Sequence, residues 1–415
     1  MRILFVVHQF FPKWYTGTER FALNLAKQLQ KMGHFVEVLT YGWKDNADYT
    51  VQDSALIKRY TYQNIPVIAI KHVKVPDDNF FLLNILDESL EPLLKSILSK
   101  GRYDVVHVAH PLRLGTSIET AYSLGIPIVL TLTDFWMICP RAIAVTNQGQ
   151  LCQSSEKGIK CINKCFSEND RQIILKRVKT ANEVFQKVNI CSTSTFFLKN
   201  ILSLNYPDPK IKVIRFGKDY KNIQKNKRIY SKDSEITLGF LSTLQPHKGA
   251  HILLKAFNQI KTKKIKIKVF GHYFENTEYY YQLLQIANHK NVEFCNAYQY
   301  EDFQKIFDEL DVVIVPSIWW ENSPLVLLRS LAHNVPVIVS DLGGLTEIIK
   351  HEENGFVFEA GNTESLTAVL EKIDNDPRIL NTIKSQIQLP PRIEEEAFEY
   401  ETIYNELIRK IYPNR

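Results

Sequence analysis

The chain has 415 residues, 45% of them hydrophobic and 23% charged, with a formal net charge of +6. That length suits two or three domains, and no run approaches the ~18 consecutive apolar residues that a membrane span needs. Basic residues do cluster, but no aromatic residues are interleaved with them in a recognisable motif, which argues against a nucleic-acid partner.

The first segment, Met1 to Val7, has an apolar run that stops at His8 and no small-residue cleavage site. It reads as a core strand, Ile3–Val7, rather than a signal peptide, so the chain is expected to be cytoplasmic. Pro12 to Arg20 is a turn leading into a helix. Gly17 there would let a phosphate approach the backbone beside a helix N-terminus; the plainer reading is a turn with Thr18 as N-cap. From Glu19 to Lys31, Phe21, Leu25 and Leu29 recur every four residues, an amphipathic helix that Gly33 is placed to end. Val36–Thr40, Val105–Val108 and Ile128–Thr133 follow as strands. His107 and His110 end the second of these and Asp134 follows the third. His110 is placed to contact an acceptor or a forming oxyanion, while His107 is better read as a packed side chain.

Four cysteines, Cys139, Cys152, Cys161 and Cys165, come next with spacing C-x12-C-x8-C-x3-C. In an intracellular chain clustered thiols suggest metal ligation before disulfides, and four thiolates satisfy tetrahedral zinc. The insertion 139–165 is therefore a candidate structural zinc site, with reduced thiols in a loop as the alternative. Asn147, Gly149, Lys157 and Lys160 of this insertion could border an acceptor entrance. Cys191 and Cys295 stand apart and read as core thiols.

Between Lys210 and Lys232 nine Lys or Arg face one acid, and Lys261 to Lys268 adds five Lys. These runs read as a solvated linker and a basic surface, with anionic lipid headgroups or a phosphorylated acceptor as the sharper option. The strand–helix alternation then restarts: Ile236–Leu241, a helix from about Gly249, Ile267–Phe270, a further helix, Val292–Phe294 and Val312–Val315. The predicted organisation is α/β, with residues 1–215 an N-terminal Rossmann-like domain, 216–235 a linker, 236–390 a second Rossmann-like domain and 391–415 a terminal helix. In such sheets ligands sit beyond the carboxyl ends of the strands.

The richest stretch runs from Pro316 to Arg329 and on to Gly344. A buried strand ends in Pro316-Ser317-Ile318-Trp319-Trp320-Glu321-Asn322-Ser323-Pro324-Leu325, where Pro324 can sit in the first turn of a helix. The free amides and dipole of that helix suit a diphosphate, and Glu321 just before it can accept hydrogen bonds from sugar hydroxyls. Lys248, at the edge of an earlier strand, can neutralise a leaving diphosphate. His272, after Gly271, is a further candidate near a nucleotide.

This stretch resembles the donor site of retaining glycosyltransferases of family 4, the group 1 enzymes with two Rossmann-like domains facing across a cleft (GT-B architecture). Their pattern P-S-x-x-E-x(7)-E, then G-x-P-V-I-x-S-D-x-G-G-x-x-E, is kept at Pro316, Ser317, Glu321, Pro336, Val337, Ser340, Asp341, Gly343, Gly344 and Glu347. Asn354-Gly355-Phe356-Val357-Phe358 matches the family's N-G-x-x-F, and Gly17, Glu19 and Arg20 match its G-G-x-E-R loop. Cys139-Pro140-Arg141 resembles the start of an insertion in one branch of the family. Four positions depart: Thr16 for a glycine, Thr133 for a histidine, Thr243 for an arginine and Arg329 for the second glutamate.

The resemblance implies a hexosyltransferase-type, retaining enzyme of polysaccharide or glycoconjugate biosynthesis, with a nucleotide-diphosphate sugar as donor and a glycan or lipid-linked acceptor. Glu321, Lys248, His110 and Asp134 would be its catalytic residues. Gly17, Thr243, Asn322, Ser323, Pro324, Leu325 and Arg329 would bind the donor, with Arg329 a candidate to replace the cation lost at Thr243. No cofactor is expected for catalysis, zinc being structural only, and the terminal helix would cross back to the first domain. The chain would work in the cytoplasm, peripherally at the inner face of a membrane. Taken at face value, the four departures give an alternative: a non-catalytic partner that binds a sugar nucleotide or glycan.

Overall fold

The computed structural model describes residues 1–45, 48–206, 210–221, 223–271, 277–295, 298 and 302–412. The chain divides into two units, Met1–Gly217 with Ile393–Arg415, and Lys218–Arg392.

In the first unit the strands are β1 (Arg2–Val7), β2 (Phe35–Tyr41), β3 (Thr50–Gln52), β4 (Ala55–Tyr62), β5 (Ile65–His72), β6 (Val105–Val108), β7 (Ile128–Thr131), β8 (Ile190–Thr193) and β9 (Ile211–Val213). They form one sheet in the order β3-β4-β5-β2-β1-β6-β7-β8-β9. Pairing is parallel from β5 to β9 and antiparallel for β3–β4 and β4–β5. The central strands are continuous apolar runs because helices cover both faces; every residue of β6 and β7 is buried. The antiparallel edge is absent from the sequence-based prediction. Its turns, Asp53-Ser54 and Gln63-Asn64, have positive φ at both residues, the two-residue geometry that matches strand twist.

The second unit holds β10 (Ile236–Leu241), β11 (Ile265–Phe270), β12 (Val292–Cys295), β13 (Val312–Val315), β14 (Val337–Ser340) and β15 (Phe356–Phe358). Its sheet is parallel throughout, in the order β12-β11-β10-β13-β14-β15. Two apolar layers cover it, one including Phe257, Leu366 and Leu370, the other Phe307, Leu327 and Leu331. The motif residues Asn354 to Phe358 work structurally: the Asn354 amide accepts from Lys350 N and donates to Ile348 O, and Phe356 and Phe358 enter the core.

The expected linker at 216–235 is different in the structure. The described residues from Lys218 to Ser234 belong to the second unit, with Tyr230 buried and Arg228 bridged to both oxygens of buried Asp311. Long basic side chains bury their stems while keeping the charge paired, so this lysine-rich segment belongs to a folded domain.

The helix Ile393–Ile411 returns to the first unit. Tyr400 and Tyr404 are fully buried, and a core aromatic contributes about 1.5–3 kcal/mol over exposure. Their hydroxyls enter a polar network inside the core: His107 Nδ1 to Tyr404 at 2.6 Å, His107 Nε2 to Thr131 at 2.7 Å, and Thr131, Ser192 and Tyr400 mutually bonded at 2.7–3.0 Å. His107 is thus a structural residue joining three strands to this helix.

Burial lowers His107 to about 3 and holds His8 well below the ordinary histidine value. Both stay neutral in the folded chain while an unfolded chain protonates near 6.5. As the pH falls from about 6.5 towards 3, the unfolded state gains protons that the folded state refuses. Stability is therefore lost in that window, by up to about 1.4 kcal/mol per pH unit for His107 alone. Urea midpoints measured from pH 7 to pH 4 should decline, and less steeply in His107→Gln; equal slopes in the two proteins would contradict this.

Candidate functional site

In the second unit the residues identified from sequence converge on one carboxylate. β13 ends at Val315 and the loop Pro316–Pro324 leads into the helix Leu325–Ala332. Within the loop, Glu321 Oε1 accepts from Lys248 Nζ at 2.7 Å, Ser317 Oγ at 2.7 Å and Trp319 Nε1 at 2.8 Å. All three donors use the same oxygen, so Oε2 takes none of these bonds. Burial pushes the Glu321 carboxyl up, but the Lys248 cation and the three hydrogen bonds outweigh it and hold the group below the usual carboxylate range. It is a buried, ionised carboxylate with one oxygen committed to the protein.

Lys248 also lies 4.4 Å over the Trp319 ring, and His247 packs on the same ring with centroids 4.6 Å apart. Burial, then the Lys248 charge, lowers His247 to about 4, so it stays neutral. Trp319 and His247 are site residues that the sequence reading gave no role. Their only signal was adjacency to the motif.

Two glycines set the loop's position. Gly249 has φ +76°, and a Cβ there would lie 1.8 Å from Pro316 O. Gly343 has φ +64°, and its Cβ would lie 2.2 Å from Glu321 O. No other residue combines that conformation with that approach. Around them, Ile318 N donates to His247 O, Ser340 Oγ to Ser317 O, and Gly344 N to Glu321 O.

Pro324 is the N-cap of the following helix rather than part of its first turn. Leu327 and Leu328 donate the first ladder bonds, both to Pro324 O. The amides of Leu325 and Val326 stand ahead of that ladder, at the positive end of the helix. Asn322 is buried and Ser323 half-buried. Thr243 lies in the loop after β10, its carbonyl accepting from Gln245 N. Arg329 stacks its guanidinium 3.9 Å over Phe303. His272 lies outside the described residues.

In the first unit a second polar cluster gathers beyond the carboxyl ends of β1, β6 and β7. His110 Nε2 lies 3.0 Å from Asp134 Oδ2, and His110 Nδ1 accepts from Leu112 N at 3.1 Å. Since Nδ1 accepts, Nε2 carries the proton and donates it to Asp134. The Asp134 Oδ1 accepts from Trp136 N. His8 packs at a tilt against His110 with centroids 4.3 Å apart and lies 3.5 Å from Glu19, which is fully buried. Burial raises the Glu19 carboxyl above its ordinary value, against a hydrogen bond from Thr16.

Arg113, held at φ +66°, reaches His8 O and lies over Trp43. His8 Nδ1, Glu19 Oε1 and Arg113 Nε are buried without hydrogen-bond partners. Buried orphans of this kind normally point to a water, an ion or a ligand. His8 and Arg113 were missed from the sequence, although His8 is where the first apolar run breaks.

Gly17 begins the helix Gly17–Lys31 with Thr16 as N-cap, not Thr18. The Thr18 hydroxyl instead meets Thr133 Oγ1 at 2.7 Å. Beside this cluster lies a cavity of about 260 Å³. It is lined by Phe10, Phe11, Trp14, Trp43, Tyr49 and Tyr60, with Lys13, Lys58 and Asp45 among them.

Two family models match the chain: Glycosyl transferases group 1 over residues 222–389 and Glycosyltransferase Family 4 over residues 15–148. An uncharacterized glycosyltransferase of Methanocaldococcus jannaschii is 24% identical over 394 residues, covering 91% of this chain and 90% of the relative. The Escherichia coli UDP-Gal:alpha-D-GlcNAc-diphosphoundecaprenol alpha-1,3-galactosyltransferase is 24% identical over 298 residues, with coverage of 69% and 70%. Among solved structures, Anabaena HepE in complex with UDP and glucose superposes with a TM-score of 0.67 at 18% identity over 99% of both chains, a likeness of fold.

Proposed function

We propose that this protein, whose residues 222–389 match the Glycosyl transferases group 1 model and residues 15–148 the Glycosyltransferase Family 4 model, is a retaining hexosyltransferase of polysaccharide or glycoconjugate biosynthesis. It moves a sugar from a nucleotide-diphosphate donor to a hydroxyl of a glycan or lipid-linked acceptor. The observation that carries the reading is the Glu321 carboxylate, fixed through one oxygen by Lys248, Ser317 and Trp319 at the start of a helix.

In this proposal Glu321 Oε2 accepts from a hydroxyl of the donor sugar. The amides of Leu325 and Val326 and the Lys248 cation take the diphosphate. Positive charge fixed in advance stabilises the leaving group as the anomeric C–O bond to phosphate breaks. The acceptor hydroxyl forms the new C–O bond on the same face and gives its proton to the departing phosphate oxygen. No strong general base is then required where Thr133 stands. Lys248 and the helix dipole supply the charge that a divalent cation would bring in other enzymes.

His110, held as the Nε2–H tautomer by Leu112 and Asp134, orients the acceptor together with His8 and Arg113. The aromatic cavity suits sugar rings, whose apolar faces stack on Trp and Tyr, and Lys13 and Lys58 suit an anionic substituent. The UDP and glucose in the HepE complex and the diphosphoundecaprenol substrate in the E. coli relative's name support these donor and acceptor classes. A lipid-linked acceptor would bring the protein to the cytoplasmic membrane surface, although no helix among the described residues is long and apolar enough to cross a membrane.

Melting temperature against a panel of nucleotide sugars tests the donor, because a ligand of the folded state raises it by mass action. One donor should give a shift, and its transfer product should show the donor's anomeric configuration by NMR. An inverted product would reject the retaining mechanism. A shift without transfer to any glycan or lipid-linked acceptor would favour the non-catalytic partner.

A further inference from the structure

We propose that Cys139, Cys152, Cys161 and Cys165 close around one zinc ion, which holds the 139–165 insertion together. Four thiols from three parts of the insertion line a single cavity of about 10 Å³, together with Thr146 and Lys160. All four are free thiols. Spacing alone could not establish that arrangement, because twelve- and eight-residue loops separate the first three.

The insertion has little apolar packing of its own and is otherwise tied by hydrogen bonds such as Cys152 N to Ala144 O and Asn147 Nδ2 to Cys165 O. Its apolar core is Cys161 and Ile162 against Ile174, with Leu83, Phe166 and Ile173 partly covering them. Outside the six-residue helix Ile159–Lys164 it has little regular structure. Four non-glycine residues, Ala142, Ala144, Glu156 and Lys157, have left-handed backbone, which is strained for a residue with a side chain. Such small, strained, loop-rich pieces are held by metal ions or disulfides when burial is insufficient.

Four thiolates select a soft, tetrahedral ion such as zinc. Four S–Zn bonds form as four thiol protons leave to solvent. The resulting negative site has Lys160 on its wall and Arg177 within electrostatic reach of Cys139 and Cys161. Among the described residues no three metal-ligating side chains already stand arranged to hold an ion. The set therefore closes by rotation of the thiols into the cavity they line.

The ion would also act on the polar cluster of the first unit. Cys139 N donates to Phe135 O, and Trp136, one residue further on, is bonded through its N–H to Asp134. Fixing Cys139 fixes the segment that presents Asp134 to His110.

The test uses the full chain purified without added metal. Elemental analysis should find about one zinc per chain, and a strong chelator should release it, lower the melting temperature and expose about four additional thiols to a thiol reagent. Cys152→Ser and Cys165→Ser, two of the three partly exposed positions among the four, should each lose most of the zinc, while Cys295→Ser keeps it. The proposal is overturned by wild-type protein without zinc, by full zinc retention in both serine variants, or by disulfides among the four cysteines in non-reducing mass spectrometry. Zinc that chelation removes without moving the melting temperature would overturn the structural role. This readout does not involve donor or acceptor, so it stands or falls apart from the transferase reading.

Discussion

Replacing Glu321 with alanine should abolish the nucleotide-sugar melting shift and lower kcat/KM by about a hundredfold or more, the order lost when one fixed electrostatic group is removed. The variant removes the partner of Lys248, Ser317 and Trp319 at once. Stripping one member from a buried ion pair costs about 3–5 kcal/mol, and the low end applies because Lys248 keeps 18% of its side-chain surface exposed. Glu321→Gln separates the two effects. It retains volume and a carbonyl acceptor for the neutral donors, so it should recover stability but not donor binding. Titration calorimetry on folded Glu321→Gln checks this; wild-type affinity for the donor would remove Glu321 from the site.

Gly249→Ala should be nearly as damaging through the backbone. The left-handed conformation alone costs roughly 1–2 kcal/mol for a residue with a side chain, and the new Cβ would stand 1.8 Å from Pro316 O. Relief requires Pro316 to move, and Ser317 and Glu321 follow it. The expected result is a melting temperature lowered by several degrees together with weakened donor affinity, although Gly249 carries no chemistry. Chemical denaturation followed by Trp fluorescence, beside a donor titration, reads both. Wild-type values in both would show that the loop is not held from below in this way.

The parallel strands were legible because strands buried on both faces read as unbroken apolar runs, as in Val312–Val315 and Ile236–Leu241. Glu321, Lys248 and the helix after Pro324 were legible because a strand end, a polar turn and a helix start leave few places for a ligand. The antiparallel edge was not. β4 buries only Ala55 and Ile57, exposes Arg59 and Thr61 and also carries Lys58, and its turns use no glycine. The segment 216–235 was misread because a solvated lysine run and a strip of long side chains lying on a domain look alike in sequence. Arg228 and Tyr230 make sense only beside Asp311, which is about 80 residues away. His8 and Arg113 lie in the loops that follow β1 and β6 and become a cluster only when those strands pair. The identity of the His110 proton likewise depends on Leu112 N, a backbone contact that no side-chain pattern announces.

The position of the helix Ile393–Ile411 has a consequence for how the molecule is made. A ribosome releases residues 1–217 long before residues 393–411, with the whole second unit emerging in between. Until then the nascent first unit lacks Tyr404 and Tyr400, whose hydroxyls complete the His107–Thr131–Ser192 network, and the side of Phe21 that packs near Tyr400 stays open to water. It must wait unfinished or be shielded, while the second unit, contiguous from Lys218 to Arg392, can complete itself during synthesis. For the same reason, recombinant production of the first unit alone calls for a gene in which codons 393–412 are joined by a short linker behind codon 217.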